Sequence, residues 1–456
     1  MHVSHGFSAV FDDPNLVSCG GLAPVLALAQ RAGLHGLVAE RVKLGAKGGV
    51  NPSLKIPALI AGMVAGADSI DDMDLLRHGG MDRLFGGVRA PSTLGTFLRT
   101  FTFGHVRQLD AVAAGMVASL ARDTPLLAGA DQVAYVDMDD TVKATYGYAK
   151  QGVGYGYSGV KGLNALIATI STPLAAPVIV ATRLRKGSTN SARGAASLVS
   201  AALMTAKKAG ATGLLIFRAD SAFFNHDVIA AARRGGAHFS VTARQDRSVV
   251  KAIGKIDEAA WTPIRYPKAI WDDAERRWIS DAEVAEIKYT AFTSRRKAEH
   301  ITARLIVRRV RRLGATTTDQ GELFATYRHH AVFTDSPLRM LAAEKAHRAH
   351  AIIEQVNADL KNGPLAHLPS GSFAANSAWL TCAAIAFNLT RATGCLASAF
   401  HAKATTATIR AQLISVPARL ASSARRITVH LPVDWPWKQA WEQLLEGALH
   451  TPPQAV

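Results

Sequence analysis

Three carboxylates occupy positions from which they could act on one substrate. Asp139 and Asp220 each close a hydrophobic stretch, Val133–Asp139 and Leu214–Asp220, that reads as a β-strand, and Glu354 follows on a helical stretch. Carboxylates converging from two strand ends and a helix can hold two divalent ions. Mg²⁺ favours carboxylate, water and phosphate oxygens in octahedral geometry. Two such ions activate an attacking oxygen and stabilise a leaving oxygen in phosphoryl transfer. The first acid has a rival, because Asp137 alternates onto the same strand face as Asp139 while Asp140 points elsewhere. Asp139 is nearer the strand end and is preferred; Asp137 is the second choice, as a neighbour or outer group. Strand-end acids also occur in α/β proteins that bind no metal, so spacing alone leaves the triad open.

The helix carrying Glu354 adds to this. His347, His350, Glu354 and Lys361 lie at offsets of zero, three, seven and fourteen, on one helical face. A metal-binding Glu flanked by cationic or hydrogen-bonding groups suits a site that grips phosphates. Two other readings stay open at this point: a zinc site from His347, His350 and Glu354, and a solvated polar face shared with Lys345 and Arg348.

These residues need elements to position them. The chain has 456 residues, 48% hydrophobic and 19% charged, which suits two or three folded domains and excludes a mostly disordered chain. Residues 1–130 read as helical, with Leu22, Val25, Leu26 and Ala29 at helical spacing and a capped helix at Pro91–Arg99. Residues 131–245 read as strand, strand, strand, helix, strand, helix, strand, a mixed α/β core. The second and third strands, Leu163–Ile170 and Val178–Leu184, lie in an uncharged run, Gly162–Thr182. That run contains Asn164, Pro173 and Pro177 and reads as buried sheet, not as a membrane span. Residues 246–330 interrupt the core as a β-rich, basic insertion. There Trp261, Tyr266, Trp271, Trp278 and Tyr289 alternate with Arg265, Arg276, Arg277 and Lys288, and a strand at Leu305–Arg312 ends in arginines. A strand at Tyr327–Thr334 crosses the boundary into residues 331–456, which return to the core. One helix is expected from Pro337 to Lys361 and another from Asn376 to Arg391.

Lys and Arg number 52 against 35 Asp and Glu, a net charge of +17 that favours a polyanionic partner. Aromatics among arginines suit phosphate contact and base stacking, although core tryptophans in an antiparallel sheet produce the same texture. Three cysteines (Cys19, Cys382 and Cys395) with no CxxC pair exclude a disulfide scaffold and a zinc knuckle. With no signal-peptide pattern at the N-terminus, a cytoplasmic protein is expected.

At the same residues the chain resembles the DDE transposases of insertion sequences, in particular the IS1380 family within the IS4-like group. The matching segments are Val136–Thr141 followed by Tyr146-Gly147, Leu184-Arg185-Lys186-Gly187-Ser188, and Phe217–Phe223 with its Arg218-Ala219-Asp220-Ser221 centre. Ile353-Glu354 with Leu360-Lys361, Phe373–Leu380 and Ala386–Leu389 follow in the family's order.

This resemblance implies an RNase H-like core with Asp139, Asp220 and Glu354 as the catalytic and metal-holding triad, two Mg²⁺ or Mn²⁺ ions, and Asp137 in reserve. The IS4-like signature places Tyr, Arg, Glu and Lys where this chain has His347, His350, Glu354 and Lys361, so both histidines depart from it. Lys361, His350, His347, Arg185 and Arg218 would meet phosphate, the histidines in a pH-dependent way; for Arg185 and Arg218 a structural ion pair is the alternative. Trp271 or Trp278 would stack on a flipped base near the element end. The partners implied are double-stranded DNA, as terminal inverted repeats and target, and a second copy of the chain in a DNA-bound homodimer. The place implied is the bacterial nucleoid. An RNase H-like nuclease without strand transfer, and a catalytically silent DNA-binding descendant, are the alternative functions.

Overall fold

The computed structural model describes residues 5–45, 48–146, 150–156, 159–265, 271–272, 277–278, 282–311, 327–424 and 426–450. Gly147, Tyr266, Arg276 and Arg312 lie outside the described residues. The chain forms two units. One combines Met1–Leu126, Thr145–Gly152 and Ala358–Val456; the other combines Leu127–Ala144 and Val153–Asn357.

The first unit is helical and draws on both ends of the chain. Its centre is the helix Phe373–Ala397, buried along almost its whole length. Packed on it are the helices Pro52–Ala65, Pro91–Arg99, Phe103–Asp123 and Lys438–Leu449. Two polar contacts fix this arrangement: in the interior Trp379 Nε1 donates to the Pro364 carbonyl at 2.6 Å, and nearer the surface Arg31 reaches the carbonyls of Gly447, Ala448 and His450. A cation on those carbonyls suits the negative end of the last helix. Among the described residues Phe373–Ala397 is the single helix long and apolar enough to cross a membrane, and it is mostly buried within the protein.

The second unit is built on one ten-stranded mixed sheet. Its first half contains β1 (Val133–Ala144), β2 (Lys161–Ser171) and β3 (Val178–Lys186), then helix α1 (Ala195–Lys208), β4 (Leu214–Ala219), α2 (His226–Arg234) and β5 (His238–Thr242). The order across the sheet is β3-β2-β1-β4-β5, antiparallel as far as β1 and parallel from β1 to β5. Every residue of β2 from Gly162 to Ser171 is buried, as a strand covered on both faces requires. The helix α1 turns Leu198, Val199, Ala202 and Leu203 inward, and α2 does so with Val228, Ile229, Ala231 and Ala232. Asn225 starts α2 by accepting from the Asp227 amide at 2.9 Å, satisfying one of the free donors of the first turn.

The insertion extends this same sheet. The strands β6 (Ala282–Ala291), β7 (Ile301–Arg311) and β8 (Tyr327–Thr334) form an antiparallel wing joined to β5 through β8. Much of the basic texture of β7 is spent internally. Arg304 binds Glu286, Arg308 binds Glu344, and Arg309 binds Glu283 and Glu258. The Arg309 guanidinium also lies over the rings of Trp261 and Tyr327, 4.2 and 4.4 Å from their centroids.

The helix expected from Pro337 to Lys361 is two helices, α3 (Met340–Arg348) and α4 (Ile352–Lys361), separated by a 3₁₀ turn at Ala349–Ala351. Ala343 of α3 packs on Val284 and Ile306 of the wing.

Candidate active site

The strand β1 outlasts its parallel neighbour. Val133–Met138 pair with Leu214–Ala219, in register Met138 to Ala219, and there β4 ends. The sequence reading ended β1 at Asp139; the strand continues to Ala144 because β2 pairs with it as far as that residue. The next positions along the two chains are Asp139 and Asp220, side by side where β4 leaves the sheet. Asp220 turns its Oδ1 to the Ala222 amide at 2.9 Å and so caps the short 3₁₀ turn Ser221–Phe223. Asp139 accepts from the Asp140 amide at 2.7 Å and, through Oδ2, from Asn357 Nδ2 at 2.8 Å.

This pair is electrostatically uneasy. Loss of solvation, with repulsion from Asp220 and Asp140, pushes the Asp139 carboxyl up to about 6. Desolvation likewise raises Asp220, although its side chain remains open to solvent at the rim. Neither carboxylate has a cationic ion-pair partner among the described salt bridges.

Asp137, two residues back on the same face, is the reverse case. It is fully buried and held by Arg218, whose Nε and Nη2 donate to its two oxygens at 2.7 and 2.6 Å. His350 Nδ1 adds a contact to Oδ1 at 2.9 Å. Burial alone would raise this carboxyl, but the Arg218 charge and the His350 hydrogen bond bring it below the usual carboxylate range. Arg218 is itself buried, stacked 4.2 Å over Tyr135. With both Asp137 oxygens occupied by donors, the residue braces the strand beneath the Asp139–Asp220 pair.

His347 lies behind His350, their rings stacked with centroids 6.4 Å apart. Its two nitrogens meet Ser240 Oγ at 3.0 Å and Thr242 Oγ1 at 2.9 Å, so neither is open to a metal. Desolvation, reinforced by the charges of His350 and Arg218, pushes its imidazole down to about 3. A neutral, enclosed ring joins α3 to β5 and offers no cation to phosphate.

On the opposite face of β1, Asp140 is buried with Asn164 and Arg185. Asn164 donates to Asp140 at 2.9 Å, Arg185 pairs with the same carboxylate, and Arg185 Nη1 reaches the carbonyls of Ser191 and Arg193 at 2.7 and 3.0 Å. The guanidinium therefore ties the loop before α1 to the sheet. Gly187, next to this arginine, sits where a Cβ would come within 2.0 Å of the Gly162 carbonyl oxygen, so only glycine fits.

Glu354 is exposed on the first turn of α4, and Lys361 is its last residue. Glu354 lies on the helical face that carries His350 and Asn357, four residues after one and three before the other. Trp271 and Trp278 face each other as partners in a two-stranded ladder. Trp271 is 45% exposed, and of Trp278 only the backbone is described. Among the described residues no three His, Cys, Asp or Glu side chains are grouped closely enough to hold a metal ion. Asp139 and Asp220 nevertheless suit a hard divalent cation: they are oxygen donors whose mutual repulsion a cation would relieve.

Asn357 was not singled out from the sequence. The available signal was its position, three residues after Glu354 on the same face; its hydrogen bond to Asp139 spans 218 residues of chain and leaves no local trace. No curated protein matches the chain. The family described as transposase DDE domain, group 1, matches residues 5–451, nearly the whole sequence. The paired acids at the end of β4 thus stand in a chain that belongs to the DDE transposase domain family, group 1.

Proposed function

We propose that this protein is a DNA transposase that cuts a strand at the ends of a mobile element and joins the freed 3′-OH to target DNA. The observation that carries this reading is the Asp139–Asp220 pair, adjacent across a parallel ladder and, among the described residues, without a basic side chain in ion-pair contact. The order β3-β2-β1-β4-β5, antiparallel and then parallel, supports an RNase H-like core around it. Membership of the IS1380 family rests on the motifs at Asp139, Asp220 and Glu354.

Asp139, Asp220 and Glu354 would hold two Mg²⁺ or Mn²⁺ ions. When bound, these ions supply Lewis-acid activation of a water or 3′-OH and stabilise the leaving oxygen. Asp137, Arg218 and His350 keep β1, β4 and the α3–α4 segment in place under the acids. Arg185 holds the loop before α1. DNA is drawn by the net charge of +17, with Lys361, the insertion tryptophans and the helical unit as the contacts proposed for element ends. Two ends must be cut and joined together, which calls for a homodimer on DNA.

The test uses the gene's flanking DNA. Both flanks are placed on a plasmid, and purified protein is added with Mg²⁺, beside Asp220→Ala. Paired breaks at the element ends with joined products, absent from the variant, are the expected result. Cleavage without joining would turn the reading to a nuclease; binding without cleavage by both proteins would turn it to a silent DNA-binding descendant.

A further inference from the structure

We infer that Asn357 belongs to the cation-holding centre, its Nδ2 fixing Asp139 and its Oδ1 turned to the cation, directly or through a water the cation carries. Asn357 is 6% exposed. Its Nδ2 donates to Asp139 Oδ2 at 2.8 Å, while its Oδ1 is buried with no hydrogen-bond partner. Buried amide oxygens are almost always paired, so an unpaired one beside two repelling carboxylates marks a place that a donor or a cation fills. The reverse orientation of the amide would set two acceptors against each other at the same distance.

The helix supports this. His350 contacts Asp137 and Asn357 contacts Asp139, so the α3–α4 segment is fastened along β1 at points two turns apart. Glu354 lies between these points on the same face but exposed, whereas Asn357 already touches an acid of the pair. An amide oxygen adds a neutral ligand where a third carboxylate would add repulsion. The helix thereby gives the centre one charged and one uncharged oxygen.

The inference rests on the proposed function only in taking a divalent cation as the occupant. It is tested by Mn²⁺ titration of the full-length protein without DNA, reading free Mn²⁺ by electron paramagnetic resonance. Wild type should bind, and Asp220→Ala should not. Asn357→Leu should bind about tenfold more weakly, the range expected for a residue that supports metal ligands, with a Tm within a few degrees of wild type. Asn357→Leu binding Mn²⁺ as tightly as wild type overturns the inference and leaves the proposed function standing. No binding by wild type overturns both. Should Asn357→Leu fail to fold, Asn357→Asp decides: the added charge should tighten Mn²⁺ binding several-fold, and an unchanged affinity overturns the role of this position.

Discussion

Asp137 and Asp139 stand two residues apart on one face of β1, yet their surroundings are opposite. Asp137 is enclosed by a bidentate arginine and a histidine, which hold it ionised. Asp139 faces another carboxylate and is pushed up to about 6. Asp140, on the other face, repeats the pattern of Asp137 with Arg185 and Asn164. The two neutralised acids serve the scaffold: Asp137 reinforces the β1–β4 ladder and adds the His350 turn to it, and Asp140, through Arg185, adds the loop before α1. The third, Asp139, has no ion-pair partner among the described residues, whereas both of its neighbours have an arginine. Local rules are broken in this way where a site is kept for a ligand.

The largest effect should come from breaking the neutralised side. Asp137→Ala would leave the Arg218 guanidinium buried and unpaired, which costs about 3–5 kcal/mol. Urea unfolding should show that loss, and Asp137→Leu combined with Arg218→Met should recover much of it. An Asp137→Ala midpoint equal to that of wild type would mean that the ion pair does not brace the site.

A smaller effect concerns pH. The His347 imidazole is held at about 3, below the ordinary histidine value of about 6.5. The unfolded chain takes up that proton first, so the stability this ring contributes is present above pH 6.5 and is lost as pH falls toward 3. At pH 5 the loss is about 1–2 kcal/mol. His347→Gln can keep the Ser240 and Thr242 contacts without titrating. Its Tm should therefore fall less steeply than that of wild type between pH 6.5 and 4; parallel curves would show that another group sets the acid limb.

How far these contrasts could be read from sequence depends on the range of the interactions. The succession from β1 to β5 was legible because each element carries its own period; Tyr327–Thr334 and Pro91–Arg99 have the expected bounds, although the helix starts at Pro91 behind Ala90 with no side-chain cap. The length of β1 was not legible: Asp140–Ala144 looks too polar for a strand, and its pairing with β2 is what holds it. The turn at Ala349–Ala351 interrupts a sequence of good helix formers and has no local breaker. The helical unit unites the two ends of the chain through contacts such as Arg31 with Gly447, for which no local pattern exists. In the site, Asp220 could be named from its strand end and Asp139 from the end of a hydrophobic run, although its strand continues to Ala144. The roles of Arg185, Arg218, His347 and Asn357 depended on partners far away in sequence.

The central claim, that Asp139 is held against electrostatic preference while Asp137 is not, can be measured directly as the unfolding free energy of Asp139→Asn in metal-free buffer at pH 7.5. The folded carboxyl lies above its unfolded value, so its penalty is absent below about pH 4 and grows as pH rises through 6. A shift of this size corresponds to at most about 3 kcal/mol, and solvent access reduces it to about 1 kcal/mol. The account predicts that Asp139→Asn is more stable than wild type by about that amount at pH 7.5, with the advantage gone at pH 4. A variant less stable than wild type at pH 7.5 would contradict it and place Asp139 with Asp137 among the residues that hold the fold together.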